Sequence, residues 1–209
     1  GVIYPIVMGW QWGGGWLAEI GFSDFAGSTL VHSTGGAAAL AGIMLLGARN
    51  GRFDSAGNPK ALKPFAASSI PLVTIGVFIL WLGWFGFNGG SQLALGTFED
   101  AVAISTIFIN TNLAACGGVL AAGIITRLMY GKTDVVQMLN GAIGGLVAVT
   151  AEPLAPSPFA AILIGAVCGL IVVFGTKLLF NFKLDDVVGA IPAHLFAGIW
   201  GTLAVPLTN

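Results

Sequence analysis

His32 and His194 are the only histidines in the 209 residues, and they occupy matching settings. Asp24, Gly27, His32 and Gly36 are echoed by Asp186, Gly189, His194 and Gly198: an Asp, a Gly three residues on, a His eight on and a Gly twelve on. A neutral imidazole carries one donor and one acceptor nitrogen, so two facing rings can share a proton and still offer polar atoms to a small molecule passing by. Two histidines without Cys or carboxylate partners beside them make a poor metal site. No Ser-His-Asp or Cys-His set accompanies them either, so the residues argue against an enzyme and imply no cofactor. Cys116 and Cys168 lie far apart inside apolar runs and read as small buried hydrophobes.

The histidines must be held by elements of an unusual kind. Hydrophobic residues make up 56% of the chain and charged ones 8%, against about 25% charged in an ordinary soluble domain. With mean hydropathy +0.91, a bilayer is the natural solvent. Six runs approach the ~20 apolar residues that a spanning helix needs. They are 25–46, 68–87, 101–126, 135–150, 159–180 and 187–207, the fourth being short. A partial segment rich in Trp (Trp10, Trp12, Trp16) precedes them, in the manner of a membrane interface, and residues 2–8 read as the tail of a helix already under way. The expected fold class is therefore all-α, a polytopic transmembrane helical bundle of about 6–7 helices forming one transmembrane domain over residues 1–209. The chain opens on Gly1 without a leader-like segment, which suggests a fragment of a longer protein.

Charge gives the orientation. Every Lys and Arg falls in three alternate connections: Arg49, Arg52, Lys60 and Lys63; Arg127 and Lys132; Lys177 and Lys183. The other connections carry only acids, at Glu19, Glu99, Asp100 and Glu152. The cationic side is expected to be cytoplasmic, in a multi-pass protein of the plasma or inner membrane. A net charge of −1 shows no nucleic-acid-binding surface.

In that orientation the helices carrying His32 and His194 enter from opposite faces, as an inverted-topology repeat would leave them. If Asp24 and Asp186 cap their helices, each His lies eight residues in, roughly 12 Å deep at 1.5 Å per residue. Half a hydrocarbon core is about 15 Å, so both rings are expected near the midplane, where a polar side chain is a functional candidate by default. Small residues surround them at helical spacing: Ser28, Gly35, Gly36 and Ala39 near His32, and Ala190, Ala197, Gly198 and Gly201 near His194. Pro192 is expected to bend the second helix. At the outer end of the second span, Trp81-Leu82-Gly83-Trp84-Phe85-Gly86-Phe87-Asn88-Gly89-Gly90-Ser91 sets aromatic faces that attract cations beside a hydroxyl acceptor.

Together these segments resemble the ammonium transporter family (the Amt/Mep branch, related to Rhesus proteins). Residues 24–32 resemble its signature around a first pore histidine, residues 83–91 its gate segment, and Asp185-Asp186 with His194 and Gly198 the segment bearing its second histidine. The resemblance implies an eleven-helix subunit, here lacking the first three helices and the last, assembled as a homotrimer with one pore per subunit. It implies that Trp12 and Ser91 form an external ammonium site, Phe87 a phenylalanine gate, and Trp84, His32 and His194 the lumen, with Asp24 as structural support. Ammonium, or methylammonium as its analogue, would shed a proton outside and cross as ammonia in nitrogen uptake. A PII-type regulator would act on the full-length protein. Where many members carry a further acid, this chain has Gly189. An ammonium sensor and a neutral-solute (water or gas) channel are the alternatives.

Overall fold

The computed structural model describes residues 1–54, 57–58 and 65–208, and is all-helical. Eight helices follow one another among the described residues: α1 (Ile3–Gln11), α2 (Trp16–Glu19), α3 (Ser28–Leu46), α4 (Ile70–Gly90), α5 (Phe98–Tyr130), α6 (Val135–Val149), α7 (Pro158–Asn181) and α8 (Ile191–Thr208). Helices α3, α4, α5, α7 and α8 are long and apolar enough to cross a membrane, whereas α6 has only 15 residues. The short fourth run of the sequence is thus a short helix.

Side-chain caps set four of the helix starts. Ser69, Asp134 and Ser157 accept from backbone N–H groups three residues on, at Leu72, Gln137 and Ala160. Thr97 and Asp100 form a reciprocal capping box. That box and the left-handed Gly131 at the far end carry α5 to 33 residues, beyond the apolar run at both ends. Arg127 and Lys177, expected in connections, lie within α5 and α7; Arg127 is in the closing turn of α5, where cations are favoured by the negative end of the helix dipole.

Helices α5, α6 and α7 pack against one another, α4 lies on α5 and α6, and α8 on α6 and α7. Every residue of α6 from Gly141 to Val149 is buried, so this short helix is the core of the bundle. Its crossing with α5 is backbone on backbone: a Cβ on Gly118 would run into the Gly141 carbonyl, and one on Gly141 would sit 2.6 Å from the Gly118 carbonyl. Large apolar side chains such as Leu72, Phe78, Ile79 and Leu82 face outward, while Asn88, Asn110, Thr111 and Thr150 are fully buried. This is the distribution of a multi-pass membrane protein, and the chain is one.

α3 and α8 run in opposite directions along α6. At the start of α3, the Phe25 and Ala26 N–H groups donate to the carbonyls of Ala151 and Thr150, past the C-terminal end of α6. Before the start of α8, the Val188 carbonyl accepts from Asn140 Nδ2, near the N-terminal end of α6. The same end holds the cationic connections. The Arg49 guanidinium donates twice to Asp185, at 2.7 and 2.9 Å, its backbone N–H donates at 3.1 Å, and Arg52 Nε lies 3.3 Å from the same carboxylate. Lys60 and Lys63 fall outside the described residues.

Candidate functional site

The two histidine segments are built alike. Asp24 accepts from the N–H groups of Gly27 and Ser28 on Oδ1 and of Thr29 and Leu30 on Oδ2, at 2.7–3.1 Å. Asp186 accepts from Gly189, Ala190 and Ile191, at 2.8–3.1 Å. Gly27 and Gly189 adopt φ of +109° and +76°, which a residue with a Cβ rarely takes, and so turn the chain between carboxylate and helix. Each helix then opens with a six-residue π turn, Ser28–Ser33 or Ile191–Phe196, that contains the histidine.

This corrects the expected depth. The Asp residues do not begin the helices but reach them from several residues ahead, so His32 is the fifth helical residue and His194 the fourth. Counting α-helical rise from Asp therefore overstates the distance travelled. Pro192, expected to bend the helix, stands in its first turn, where the missing N–H leaves no bond unmade.

The helices nonetheless bring the rings together. His32 Nδ1 and His194 Nδ1 lie 3.2 Å apart, with ring centroids at 5.3 Å. One ring must carry the proton between them and the other accept it, so their two Nε2 atoms differ in character, one acceptor and one donor. His32 Nε2 is buried with no hydrogen-bond partner. Trp84 stacks on His32 at 4.9 Å and 16°, and Phe87 lies tilted at 5.6 Å from His32 and 5.8 Å from Trp84. Four of the sequence-expected residues thus form one cluster.

Close packing makes the meeting possible. A Cβ on Gly36 would sit 2.6 Å from the Leu195 N, and one on Gly198 would collide with the Ser28 carbonyl and Ser33 Oγ. The cavity beside the histidines, about 220 Å³, is lined by Val31, His32, Gly35, Gly36, Ala39, Ala190 and His194. Gly35, Gly36, Ala39 and Ala190 were among the small residues expected there; Ser28, Gly198 and Gly201 instead pack against one another and α6. Two larger hollows, about 470 and 520 Å³, contain no titratable side chain, so the chemistry points to the smaller one.

Trp12 and Ser91 lie outside the cluster. Trp12 Nε1 donates to the Asp24 carbonyl at 3.0 Å, and a Cβ on Gly27 would touch its ring. Ser91 Oγ donates to the Phe87 carbonyl at 2.8 Å, which leaves the oxygen free to accept. Asp24 is 1% exposed; burial pushes its carboxyl up, against the opposing effect of the N–H groups of Leu30, Thr29, Ser28 and Gly27. Two features were missed from the sequence: the Arg49–Asp185 pair, and the buried polar residues Asn88, Thr111 and Thr150 behind Trp84. The signal for the latter was present, since polar residues inside apolar spans need partners.

The Ammonium Transporter Family matches the chain over residues 1–209. The chain belongs to that family. It is 47% identical to the ammonium transporter Amt2 of Archaeoglobus fulgidus, over 98% of this chain and 44% of that protein. It is also 47% identical to a putative ammonium transporter of Synechocystis, over 98% of this chain and 46% of the relative. Among solved structures, a protein described as a sensor Amt protein superposes with a TM-score of 0.92 at 36% identity, over 99% of this chain and 51% of that one. Mep2 of Candida albicans superposes at 0.86 and 31%, over 99% and 44%. The chain spans about half the length of these relatives.

Proposed function

We propose that this family member conducts ammonium or ammonia across the membrane through a pore lined by His32 and His194. The observation that carries the reading is the contact of the two rings across helices running in opposite directions, with His32 Nε2 buried and unpartnered beside a cavity. Trp84 and Phe87 lie against the His32 ring. In this reading Trp12 and Ser91 hold ammonium outside, Phe87 is the gate, Trp84 and the two histidines line the lumen, and Asp24 supports the α3 start. Ammonium gives up its proton at the outer site and crosses as ammonia, whose lone pair and N–H groups suit the unlike Nε2 atoms.

The same reading makes residues 1–209 a single transmembrane domain with the cationic end in the cytoplasm. The working form is a homotrimer in the plasma or inner membrane, regulated by a PII-type protein. No enzymatic step is part of it.

The test is ammonium-evoked current, with internal pH followed in parallel, across proteoliposomes holding the native chain or His32→Ala. A native signal that the substitution abolishes or alters in selectivity is expected. Identical flux and selectivity in His32→Ala and His194→Ala would refute the paired-histidine pore. The 36% identity to a sensor Amt protein favours one second reading, in which the chain binds ammonium without appreciable flux. Trp12- and Ser91-dependent binding with no flux by either readout would select it.

A further inference from the structure

Four buried polar side chains, on α4, α5 and the C-cap of α6, form a chain that ends against His32. Trp84 Nε1 donates to Thr150 Oγ1 at 2.9 Å. Thr150 Oγ1 lies 3.0 Å from Asn88 Oδ1, and Asn88 Nδ2 donates to Thr111 Oγ1 at 3.0 Å. Asn88, Thr111 and Thr150 are 0% exposed and Trp84 6%. The direction of the first bond is fixed by chemistry. An indole N–H only donates, so the Thr150 oxygen accepts from it, and the Thr150 proton goes to Asn88 Oδ1 or to the Leu146 carbonyl, 2.7 Å away. Asn88 is turned with its oxygen to Thr150 and its nitrogen to Thr111.

The chain matters because of what the indole would otherwise do. A buried donor without an acceptor is costly, so a released Trp84 N–H would seek one. His32 Nε2, on the ring stacked against Trp84, is a buried nitrogen with no partner. When the proton shared by the two rings sits on His32 Nδ1, its Nε2 is an acceptor, and Thr150 and His32 are then rival acceptors for one indole proton, which the observed structure gives to Thr150.

We infer that Thr150 is a positioning residue of the pore: oriented by Asn88 and Thr111, its hydroxyl anchors the Trp84 indole so that the ring lies flat on His32 and leaves the lumen nitrogen unoccupied. The functional part of this inference rests on the reading of His32 and His194 as a pore. Nothing covalent is involved, only the choice of acceptor.

The test uses the full chain in vesicles, with native protein, Thr150→Val, Thr150→Ser, Trp84→Phe and the Thr150→Val/Trp84→Phe double variant. Valine keeps the shape of threonine and removes the acceptor; serine keeps the acceptor. Maximal methylammonium uptake per folded protein is expected to fall about tenfold in Thr150→Val, with KM held within about twofold and uptake restored in Thr150→Ser. In the Trp84→Phe background Thr150→Val should have little further effect, since the two residues act as one unit. Equal effects of Thr150→Val with and without Trp84 would overturn the inference. Ultraviolet resonance Raman difference spectra, each protein minus its Trp84→Phe counterpart, isolate the Trp84 indole. Its hydrogen-bond-sensitive band should shift in Thr150→Val. An unshifted band refutes the anchoring even if native vesicles take up no methylammonium, whereas absent native uptake with a shifted band refutes the transport reading and leaves the anchor established.

Discussion

Replacing Asp24 by Ala should destabilise the protein far more than replacing Asp186 by Ala, although the two occupy matching positions. The first N–H groups of any helix lack intrahelical acceptors. Here the Asp24 carboxylate serves those of Gly27, Ser28, Thr29 and Leu30, while the Gly27 carbonyl accepts from Val31 and His32. Ser28 and Leu30 are 0% exposed, so water cannot take over their two bonds. At about 1–3 kcal/mol for each buried group left unpaired, these two alone amount to roughly 2–6 kcal/mol. Asp186 is only partly buried and serves three N–H groups, of which Ile191 is fully buried, so about 1–3 kcal/mol is expected. For a chain of this size, each kcal/mol shifts Tm by about 2–4 °C. Thermal unfolding in detergent should therefore place Asp24→Ala several degrees below Asp186→Ala. Equal Tm values, or the reverse order, would refute the assignment of Asp24 as the sole side-chain acceptor for the start of α3.

Four further outcomes follow from the local surroundings of single residues. Gly198→Ala should cost about 1–3 kcal/mol, because its Cβ meets the Ser28 carbonyl and Ser33 Oγ. Gly76→Ala, exposed on α4 with open space around it, should be neutral or stabilising by up to about 1 kcal/mol; thermal unfolding of both compares them directly. Arg49→Ala should lower stability by about 1 kcal/mol, since the Arg49 side chain is 39% exposed and Arg52 still faces Asp185. The Asp185 carboxyl is held below the usual carboxylate range chiefly by the hydrogen bond from Arg49. Its contribution is therefore complete above the unfolded value near 4 and is lost as pH falls through the lower folded value. Melting curves down to about pH 4 should show the native chain and Arg49→Ala keeping their difference.

The sequence carried the spans, their alternating charge and the likeness of the two histidine segments, because each depends on residue types at fixed spacing. The caps at Ser69, Thr97, Asp134 and Ser157 were not singled out, although Ser, Thr and Asp are the residue types preferred there. What was not legible depended on backbone choices with nearly equal energies. Nothing in Ser28-Thr29-Leu30-Val31-His32-Ser33 announces a π turn, because the change from i−4 to i−5 acceptors alters no residue's burial pattern along so short a stretch. It follows from a carboxylate that satisfies four donors and a glycine that redirects the chain. The Trp84–Thr150 bond was hidden for a different reason: its partners are 66 residues apart, on helices whose relative rotation no periodicity fixes.

The likeness of the two segments has a geometric consequence that neither shows alone. Gly36 approaches the backbone of Leu195, next to His194, while Gly198 approaches that of Ser28, four residues before His32. Each histidine helix is thus let in by the glycine that the other carries twelve residues after its Asp. Because α3 and α8 run in opposite directions, a glycine beyond the histidine on one helix meets the first turn of the other. The arrangement puts the two rings at one level, whichever end each helix entered from, and the 3.2 Å contact of their Nδ1 atoms is the result. A side chain added at either glycine would part the helices at the level of the rings, so the spacing of Asp, Gly, His and Gly is a constraint on the ring pair as much as on the fold.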